Sequence, residues 1–532
     1  MTGRAGSGGG PGREEPGTAV LIVGGGPVGL TARALLERWG VPTLLVEKRD
    51  ALSPFPRSRL VNVRSMEIFR HLGLAAAITA GAFPPEYGRI RFRDTLDGRD
   101  FATAAMVGID APVPESPVRG VVTSQDRLEP LLLAAADAPV RFGVELTGLS
   151  EDDDGVVAAL ADHRRGGGTR VRARYVLAAD GAGSTVRQLL GTGTTGPGAL
   201  GKFTTVVFDA DLGRWTAGRP AGVYFTAHGM LAPLHPEGGW AWFVPTPEDG
   251  RRADWPALLS QALGTGAGVR AEVVRVQHWV MNAFVAARFA HGRVLLAGDA
   301  AHAMPIVGGL GMNTGLGDVH NLCWKLAGAV HGWAGPALPE TYGEEREPVA
   351  HRTLRQTVAN TRLLVDVQNR RAEQRRRGEP APDRVELPWS KEYFAQLGLV
   401  LGVAYRSGAV LPGADAPPEP PGTGTDYVPT PHPGHRMPHL WLAPGRSTLD
   451  ACGPWFTLFT PDPARWAHPA TGPWPLRVEA LPAAHTGPCD LGPHGALLVR
   501  PDGHIGARWR EGPERNTALR HALTRITGVT TP

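Results

Sequence analysis

Residues 19–30, AVLIVGGGPVGL, decide the fold of the first part of the chain. A short apolar run ends in three glycines, and apolar side chains then recur at helical spacing from Val28 to Trp39. A second apolar run follows at residues 43–47. This order of strand, tight turn, helix and strand is that of a βαβ unit, so the sequence predicts a parallel sheet.

The turn itself carries a nucleotide-binding pattern. Gly24, Gly26 and Gly29 occupy the three glycine positions of G-x-G-x-x-G. Glycine lets the turn close tightly and lets a pyrophosphate approach the backbone N–H groups at the helix N-terminus. Glu47 ends the second strand, where a carboxylate can accept hydrogen bonds from an adenosine ribose. The segment therefore predicts dinucleotide binding, the alternative being a chance turn in a chain with 70 glycines.

Two further segments offer groups to the same ligand. The stretch PRSRLVNVRSMEIFR at residues 56–70 contains Arg57 and Arg64, either of which can bind a phosphate bidentately or lie on a solvated helix face. In AADGAGSTVR at residues 178–187, Asp180 follows a strand and can cap the next helix, with or without contact to a cofactor.

The residues LLAGDAAHAMPIVGGLGMNTGLGD at 295–318 favour a flavin. Asp299 ends a strand and can bind a ribityl hydroxyl. The glycine-rich loop then enters a helix, so N–H groups near Gly309, Gly311, Met312 and Asn313 can face the electron-rich end of a reduced flavin.

In this order the motifs resemble those of the single-component FAD aromatic hydroxylases typified by para-hydroxybenzoate hydroxylase. The resemblance includes TSQDRLE at 123–129 and NLCWKLA at 321–327. It implies that Glu47 binds the adenosine ribose, Arg57 the pyrophosphate region, Gln125 the flavin side and Asp299 the ribityl chain, and that Asp180 lies where FAD and NAD(P)H meet. The full predicted cofactor set is Gly24, Gly26, Pro27, Val28, Gly29, Glu47, Lys48, Arg57, Gln125, Asp180, Asp299, Pro305, Gly309, Gly311, Met312 and Asn313.

The resemblance also implies the chemistry. NADPH or NADH reduces FAD, O₂ adds to give a C4a-hydroperoxyflavin, and an electron-rich ring carbon attacks its distal oxygen. The catalytic acid or base stays unassigned, because His235 and His278 are as compatible with structural roles as with polarising a phenol.

The fold class expected is α/β, a Rossmann-like FAD-binding domain interleaved with a mainly antiparallel substrate domain. The predicted boundaries are a disordered tail at 1–17, the FAD-binding domain with a helical extension at 18–88, 118–200 and 286–402, and the substrate domain at 89–117 and 201–285. A Pro/Gly/Thr-rich linker is expected at 403–432, before a thioredoxin-like domain at 433–532. The segments LFTPD and GALLVRPDGHIGARW resemble the C-terminal domain of phenol hydroxylase and polyketide hydroxylases, and without C-x-x-C its expected role is packing or dimer contact.

The substrate prediction rests on aromatic residues and on resemblance. Tyr224, Trp240 and Trp242 are candidates for binding a flat ligand, although core packing explains them equally well. Together with a GC-rich composition, the resemblance to polyketide hydroxylases favours a polycyclic aromatic polyketide, in antibiotic biosynthesis.

The composition excludes several other classes. The net charge is only +4 with scattered basic residues, which gives no argument for nucleic acid. The three cysteines lack disulfide or metal spacing, and neither a leader peptide nor a membrane span is recognisable. We expect a soluble cytoplasmic monomer or homodimer without a metal.

Three alternatives remain. Trp240 and Trp242 in GGWAWFVP lie close to a W-x-W-x-I-P signature of flavin-dependent halogenases, but period-two alternation also places two Trp on one face of a strand. Baeyer–Villiger oxygenation could use the same fold and cofactor. A non-catalytic flavoprotein that sequesters an aromatic metabolite is the third.

Overall fold

A computed structural model describes residues 13–249, 252–264, 269–380, 396–413, 426–466, 472–512 and 517–529.

The strands and helices of these residues follow one another in an α/β arrangement. The strands are β1 Arg13–Val23, β2 Thr43–Glu47, β3 Leu60–Val61, β4 Arg89–Phe92, β5 Ala102–Ala105, β6 Val121–Val122, β7 Val140–Phe142, β8 Val144–Asp152, β9 Gly155–Asp162, β10 Gly168–Ala178, β11 Thr194–Asp209, β12 Val223–Thr226, β13 Gly229–His235, β14 Gly238–Pro245, β15 Glu272–Ala286, β16 Ala290–His291, β17 Val294–Leu296, β18 His302–Ala303, β19 Trp441–Ala443, β20 Arg446–Ser447, β21 Phe456–Thr460, β22 Leu476–Ala480, β23 Ala496–Val499 and β24 Ile505–Trp509. The helices are α1 Pro27–Arg38, α2 Val63–His71, α3 Ala75–Ala80, α4 Gln125–Ala134, α5 Thr185–Leu189, α6 Gly213–Thr216, α7 Trp255–Leu263, α8 Gly311–His331, α9 Ala337–Arg376, α10 Leu397–Val400, α11 Thr448–Ala451, α12 Pro463–Trp466 and α13 Ala518–Thr527.

The first sheet is the parallel sheet that the glycine-rich turn predicts. Its strands run in the order β16-β17-β10-β1-β2-β7, and β17, β10, β1, β2 and β7 pair in parallel. Residues 20–23, 43–47 and 175–178 of the central strands are buried, which explains their continuous apolar sequence. The carboxyl ends of β1, β2 and β10 meet at one edge of the sheet. Doubly wound sheets bind their ligands at this edge.

The second sheet is mainly antiparallel, in the order β18-β15-β11-β14-β13-β12-β4-β5. It draws β4 and β5 from the first half of the chain and β18 from the glycine-rich loop. The second segment of the substrate sheet therefore begins at Thr194 rather than at residue 201, and the sheet reaches the Asp299 loop through β18. The two sheets are interleaved in sequence, as expected.

The C-terminal region has a sheet of its own, in the order β22-β21-β23-β24, with β21 and β22 parallel and the other pairs antiparallel. Cys452 and Cys489 are buried in its core. This order agrees with the thioredoxin-like prediction, which stays a prediction.

Two boundary predictions are wrong. Residues 13–17, expected in a disordered tail, continue β1 along β10, and Glu15 forms an ion pair with Arg141. The polar sequence REE concealed this strand because it extends beyond the apolar core. Residues 1–12 lie outside the described residues.

The linker prediction is wrong for residues 403–413. Tyr405 is 4% exposed and Ala409 is fully buried, and the backbone N–H groups of Tyr405 and Leu411 donate to Gly434 and Gly506. Buried side chains and these bonds fix the segment against the C-terminal sheet. Residues 414–425, the most proline-rich part, lie outside the described residues.

Among the described residues, no helix is long and apolar enough to cross a membrane, and no group of His, Cys, Asp and Glu side chains is arranged to hold a metal ion.

Candidate active site

A large cavity, of about 870 Å³, extends from the glycine-rich turn to the inner face of the second sheet. Ligand cavities commonly measure about 300–1,000 Å³, so this one can hold a large ligand. It is lined by residues of both sheets, of the Asp299 loop and of α9. Its two ends differ in chemistry.

The first end is formed by the turn between β1 and α1. Gly24 has φ +109°, and a Cβ there would lie 2.3 Å from the carbonyl oxygen of Ala179. A Cβ on Gly26 would meet no atom within 4 Å, so open space lies beside this residue at the N-terminus of α1. Pro27 occupies the first turn, where its missing N–H costs nothing.

Glu47 is already oriented by the backbone of this end. Its Oε2 accepts from the Gly25 N–H at 2.7 Å and its Oε1 from the Arg49 N–H at 2.9 Å. The carboxylate therefore faces the turn from the end of β2 and keeps lone pairs for a ligand hydroxyl.

Basic side chains accompany Glu47. Lys48, Arg49 and Arg57 line the cavity near the glycine turn. The pKa of Arg57 lies below its ordinary value, chiefly because of partial burial and then because of repulsion from Arg49. The carboxylates of Glu129, Asp299 and Glu47 oppose this decrease. Arg57 thus lies in the loop before β3, with an exposed side chain near the acidic groups of the site, and not in a helix.

Asp180 and Gln125 line the cavity with their side chains in use. Asp180 accepts from the Ser184 hydroxyl at 2.6 Å and from the Val186 N–H at 3.1 Å, which caps α5 as one interpretation of the sequence proposed. Gln125 accepts from the Ser58 N–H at 3.3 Å and donates to Glu129 at 2.6 Å. The Gln125 amide therefore keeps one N–H and one oxygen lone pair for a ligand.

The Asp299 loop forms the middle of the cavity. Asp299 lines it together with Pro305, Gly309, Gly311 and Met312. Burial raises the pKa of the Asp299 carboxyl, and interactions with His302 and Arg57 oppose that rise. A carboxylate kept in such a place is suited to accept hydrogen bonds from hydroxyl groups of a bound molecule.

Two residues of the predicted set act behind the cavity wall. Gly29 lies in α1, where a Cβ would come within 2.0 Å of the Gly24 carbonyl oxygen. The Asn313 side chain accepts from the Asn62 N–H and donates to the carbonyls of Leu60 and Gly309. Both residues hold the site in shape and do not line the cavity.

The second end is apolar and lies against the second sheet. Phe225, Phe243, Trp279 and Met230 line it. Phe203 and Trp279 stack with ring centroids 5.3 Å apart. This end therefore offers flat aromatic surfaces to a ligand.

The prediction that Tyr224, Trp240 and Trp242 bind substrate is wrong. All three point to the opposite face of the sheet and pack in a core with Trp255 and Leu259 of α7. Side chains alternate across a strand, so Phe225 and Phe243, one residue further along, face the cavity instead. The Trp240/Trp242 pair is thus a core feature, which removes the observation that favoured a halogenase.

The sequence did not indicate the third wall of the cavity. Thr361, Leu364, Val365 and Gln368 of α9 line it. Val365 is 46% exposed and Val280, on β15, is 44% exposed, yet both lie on this cavity. Such apolar exposure indicates a surface that a ligand covers. No motif marked α9, because its apolar spacing resembles that of any packed helix.

The two histidines considered for catalysis have structural partners. His235 Nε2 lies 2.9 Å from Asp126, and His278 Nδ1 lies 2.8 Å from the Thr204 hydroxyl. Neither lines the cavity.

The site fits FAD in three independent respects. The space beside Gly26 leaves room for a pyrophosphate at a helix N-terminus. Glu47 can accept from a ribose, and Asp299 can accept from a ribityl chain. Gly311 and Met312 place the N-terminus of α8 on the cavity wall, where its positive end suits an anionic ring.

Comparison with known families agrees with this geometry. The family described as FAD binding domain matches residues 17–357, and the one described as aromatic-ring hydroxylase, C-terminal, matches residues 430–530. The chain belongs to the FAD-binding-domain family and is an FAD-dependent aromatic monooxygenase.

Individual relatives match most of the length of this chain. An aklavinone 12-hydroxylase of Streptomyces peucetius is 35% identical over 88% of this chain and 96% of its own. A tetracenomycin B2 monooxygenase-dioxygenase of Streptomyces olivaceus is 35% identical over 92% of this chain and 94% of its own. The flavin-dependent monooxygenase PieE, solved with FAD and substrate, superimposes with a TM-score of 0.87 at 31% identity, covering 98% of this chain and 100% of that one.

Proposed function

We propose that this chain hydroxylates a polycyclic aromatic polyketide in a reaction that consumes NAD(P)H and O₂. The observation that carries the proposal is the continuity of the cavity, which joins the FAD-type cradle to the compartment of Phe225, Phe243 and Trp279. The relatives named for aklavinone and tetracenomycin support the substrate class.

Bound FAD, once reduced by NAD(P)H, would activate O₂. One oxygen atom of O₂ would enter the substrate and the other would leave as water. The residues of this chain hold and orient the reactants. Gly26, Glu47 and Asp299 bind the cofactor, while the aromatic side chains of the second sheet hold a substrate ring flat. The apolar walls from both sheets and α9 would exclude water from the reacting groups and so limit side reactions.

The polar groups at the substrate end include the guanidinium of Arg59, which donates to the carbonyls of Gly222 and Pro233, and several neutral amides and hydroxyls. Thr205, Gln277, Thr361 and Gln368 line it. Trp279 donates to the Thr205 hydroxyl at 3.0 Å, and Gln368 donates to the Thr226 carbonyl at 3.3 Å. These groups can orient phenol and quinone oxygens by hydrogen bonding, which suits an oxygenated aromatic substrate.

The test is NADPH and NADH oxidation under air by the flavin-loaded protein, with and without a panel of polycyclic phenols. We expect a polyphenol to accelerate oxidation and to yield a product heavier by one oxygen atom. Its structure distinguishes ring hydroxylation from insertion beside a carbonyl. A flavin that NAD(P)H cannot reduce, or a reduction that no phenol accelerates, would contradict the proposal.

A further inference from the structure

A buried ion pair lies directly behind the flavin-facing loops. Asp318 of α8 is fully buried and Arg346 of α9 is 3% exposed. Arg346 Nε donates to Asp318 Oδ1 at 2.8 Å, and Asp318 Oδ2 accepts from His302 Nε2 at 2.6 Å. Neither Asp318 nor His302 lines the large cavity.

This pair holds the two backbone features that face the flavin site. Asp318 Oδ2 accepts from the N–H of Gly298, the residue before Asp299, at 3.0 Å. Arg346 Nη2 donates to the carbonyl of Thr314, in the first turn of α8, at 3.0 Å. The separation between the Asp299 carboxylate and the α8 N-terminus is therefore set through one ion pair.

The same pair reaches the C-terminal region of the chain. Arg346 Nη1 donates to the Tyr405 hydroxyl at 3.2 Å. The Tyr405 ring lies 4.2 Å from the His504 ring, and the Arg500 guanidinium lies over it at 5.2 Å. Tyr405 belongs to the segment that bonds to the C-terminal sheet through Gly434.

We propose that Asp318 and Arg346 are positioning residues for FAD, and that Tyr405 makes the C-terminal region part of the flavin-binding unit. The inference rests on FAD binding and is independent of the substrate.

The physical reason is the cost of leaving a buried donor without a partner. Without the Tyr405 hydroxyl, one N–H of a buried guanidinium loses its acceptor, and Arg346 must shift or remain unsatisfied. Burial, the largest single influence, acts to raise the pKa of Asp318. Attraction to His302 and Arg346 outweighs burial, so the pKa lies below its ordinary value. The carboxylate therefore stays charged, and its geometry depends on both partners.

Tyr405→Phe is the decisive variant, and Tyr427→Phe is its matched control. The Tyr427 hydroxyl also accepts from a buried arginine, Arg436, at 3.4 Å. Arg436, however, pairs with Glu67 of α2 and not with the Asp299 loop. Both variants remove one hydroxyl from one buried guanidinium, and only the first touches the pair behind the flavin site.

The measurement is the rate of FAD release from each holoenzyme on dilution, followed by flavin fluorescence, with the midpoint potential of the bound flavin. We expect Tyr405→Phe to release FAD about tenfold faster and to shift the potential, and Tyr427→Phe to stay within about twofold of the parent. Equal release rates for Tyr405→Phe and the parent, or equal changes in both variants, would overturn the proposal.

Asp318→Asn is a second test variant, measured by the same release assay on its folded holoenzyme. We expect faster FAD release than in Tyr405→Phe, since it removes the charge that orients both Gly298 and Arg346. A parental release rate in this variant would also overturn the proposal. Flavin release is measured without substrate, so failure here and failure of the polyketide assignment are distinguishable.

Discussion

At the scale of single residues, the site depends on which side chains the backbone turns toward the cavity. Asp299 and Glu47 face it with oxygen atoms available to a ligand. The Gln125 amide also lines it and keeps one N–H, whereas the Asn313 amide is bonded to protein groups behind the cavity wall. The two side-chain amides therefore contribute differently. Hydrogen-bond partners, and not residue type alone, decide which polar groups can bind FAD.

Asp299→Asn should weaken FAD binding by about tenfold or more, because a hydrogen bond to a charged acceptor contributes roughly 1.5–3 kcal/mol. The measurement is titration of the flavin-free protein with FAD by fluorescence. Asp254→Asn is the control, since Asp254 caps α7 by accepting from the Ala257 N–H and Asn caps a helix equally well. Parental affinity in Asp299→Asn would contradict the assigned role.

Phe243→Leu should raise KM for the aromatic substrate with little change in the thermal midpoint, because Phe243 lines the cavity. Trp242→Leu should lower the thermal midpoint with little change in KM. Trp242 is 2% exposed and donates to the His228 carbonyl at 2.8 Å, so its loss leaves a hole in the core that costs about 3 kcal/mol or more. Steady-state kinetics and thermal unfolding check the pair, and a KM effect confined to Trp242→Leu would reverse the assignment of faces.

At the scale of elements, the βαβ unit uses its glycines for two separate purposes. Gly29 allows α1 to pack on the turn after β1, and Gly26 leaves space for a ligand. The same sequence motif thus contains one position that the fold requires and one that the ligand requires.

Gly26→Ala should unfold at nearly the parental temperature but bind FAD weakly, because its Cβ meets no protein atom and would occupy the ligand space. In Gly29→Ala the Cβ would lie 2.0 Å from a backbone oxygen. Overpacking costs about 1–3 kcal/mol, which exceeds the gain of up to about 1 kcal/mol from alanine in a helix. Thermal unfolding of the flavin-free variants separates the two, and equal stability loss in both would contradict this division.

At the scale of the whole molecule, the C-terminal region is joined to the flavin-binding region by buried charges. Arg500 pairs with Glu345 of α9, and Arg436 pairs with Glu67 of α2. Breaking such a pair on one side leaves an uncompensated buried charge. The C-terminal region is thus attached through fixed geometry, although the sequence around it is rich in proline and glycine.

Histidines at this junction make its stability sensitive to acid. Burial is the main cause that lowers the pKa of His71 and of His504 to about 4, from an ordinary value of 6.5. The unfolded chain therefore binds protons below pH 6.5 that the folded chain accepts only near pH 4. The free energy of unfolding should fall as pH decreases across this interval, by roughly 3 kcal/mol for a fully buried histidine.

His504→Gln should flatten this decline, because the unfolded variant takes up one proton fewer. The measurement is the thermal midpoint between pH 7 and pH 4.5, for the parent and the variant. Parallel curves over that range would show that His504 does not contribute.

The sequence alone determined the elements whose chemistry is local. Residues 19–30 and Glu47 specify a βαβ unit with a nucleotide turn, and the Asp299 loop indicates a flavin, because turn glycines, strand ends and helix starts depend on neighbours in the chain. The apolar continuity of the central strands, with the helix between them, likewise indicated a parallel sheet.

Only the tertiary structure decided which face of the second sheet meets the ligand, that α9 forms a cavity wall, and that Tyr405 reaches Arg346. Alternation along β14 is equally consistent with Trp242 inside or outside the cavity, and the packing of α7 on one face fixes the choice. The contact between Arg346 and Tyr405 joins residues 59 positions apart. No local pattern encodes such a pairing, because it depends on how the helices and the C-terminal sheet pack together.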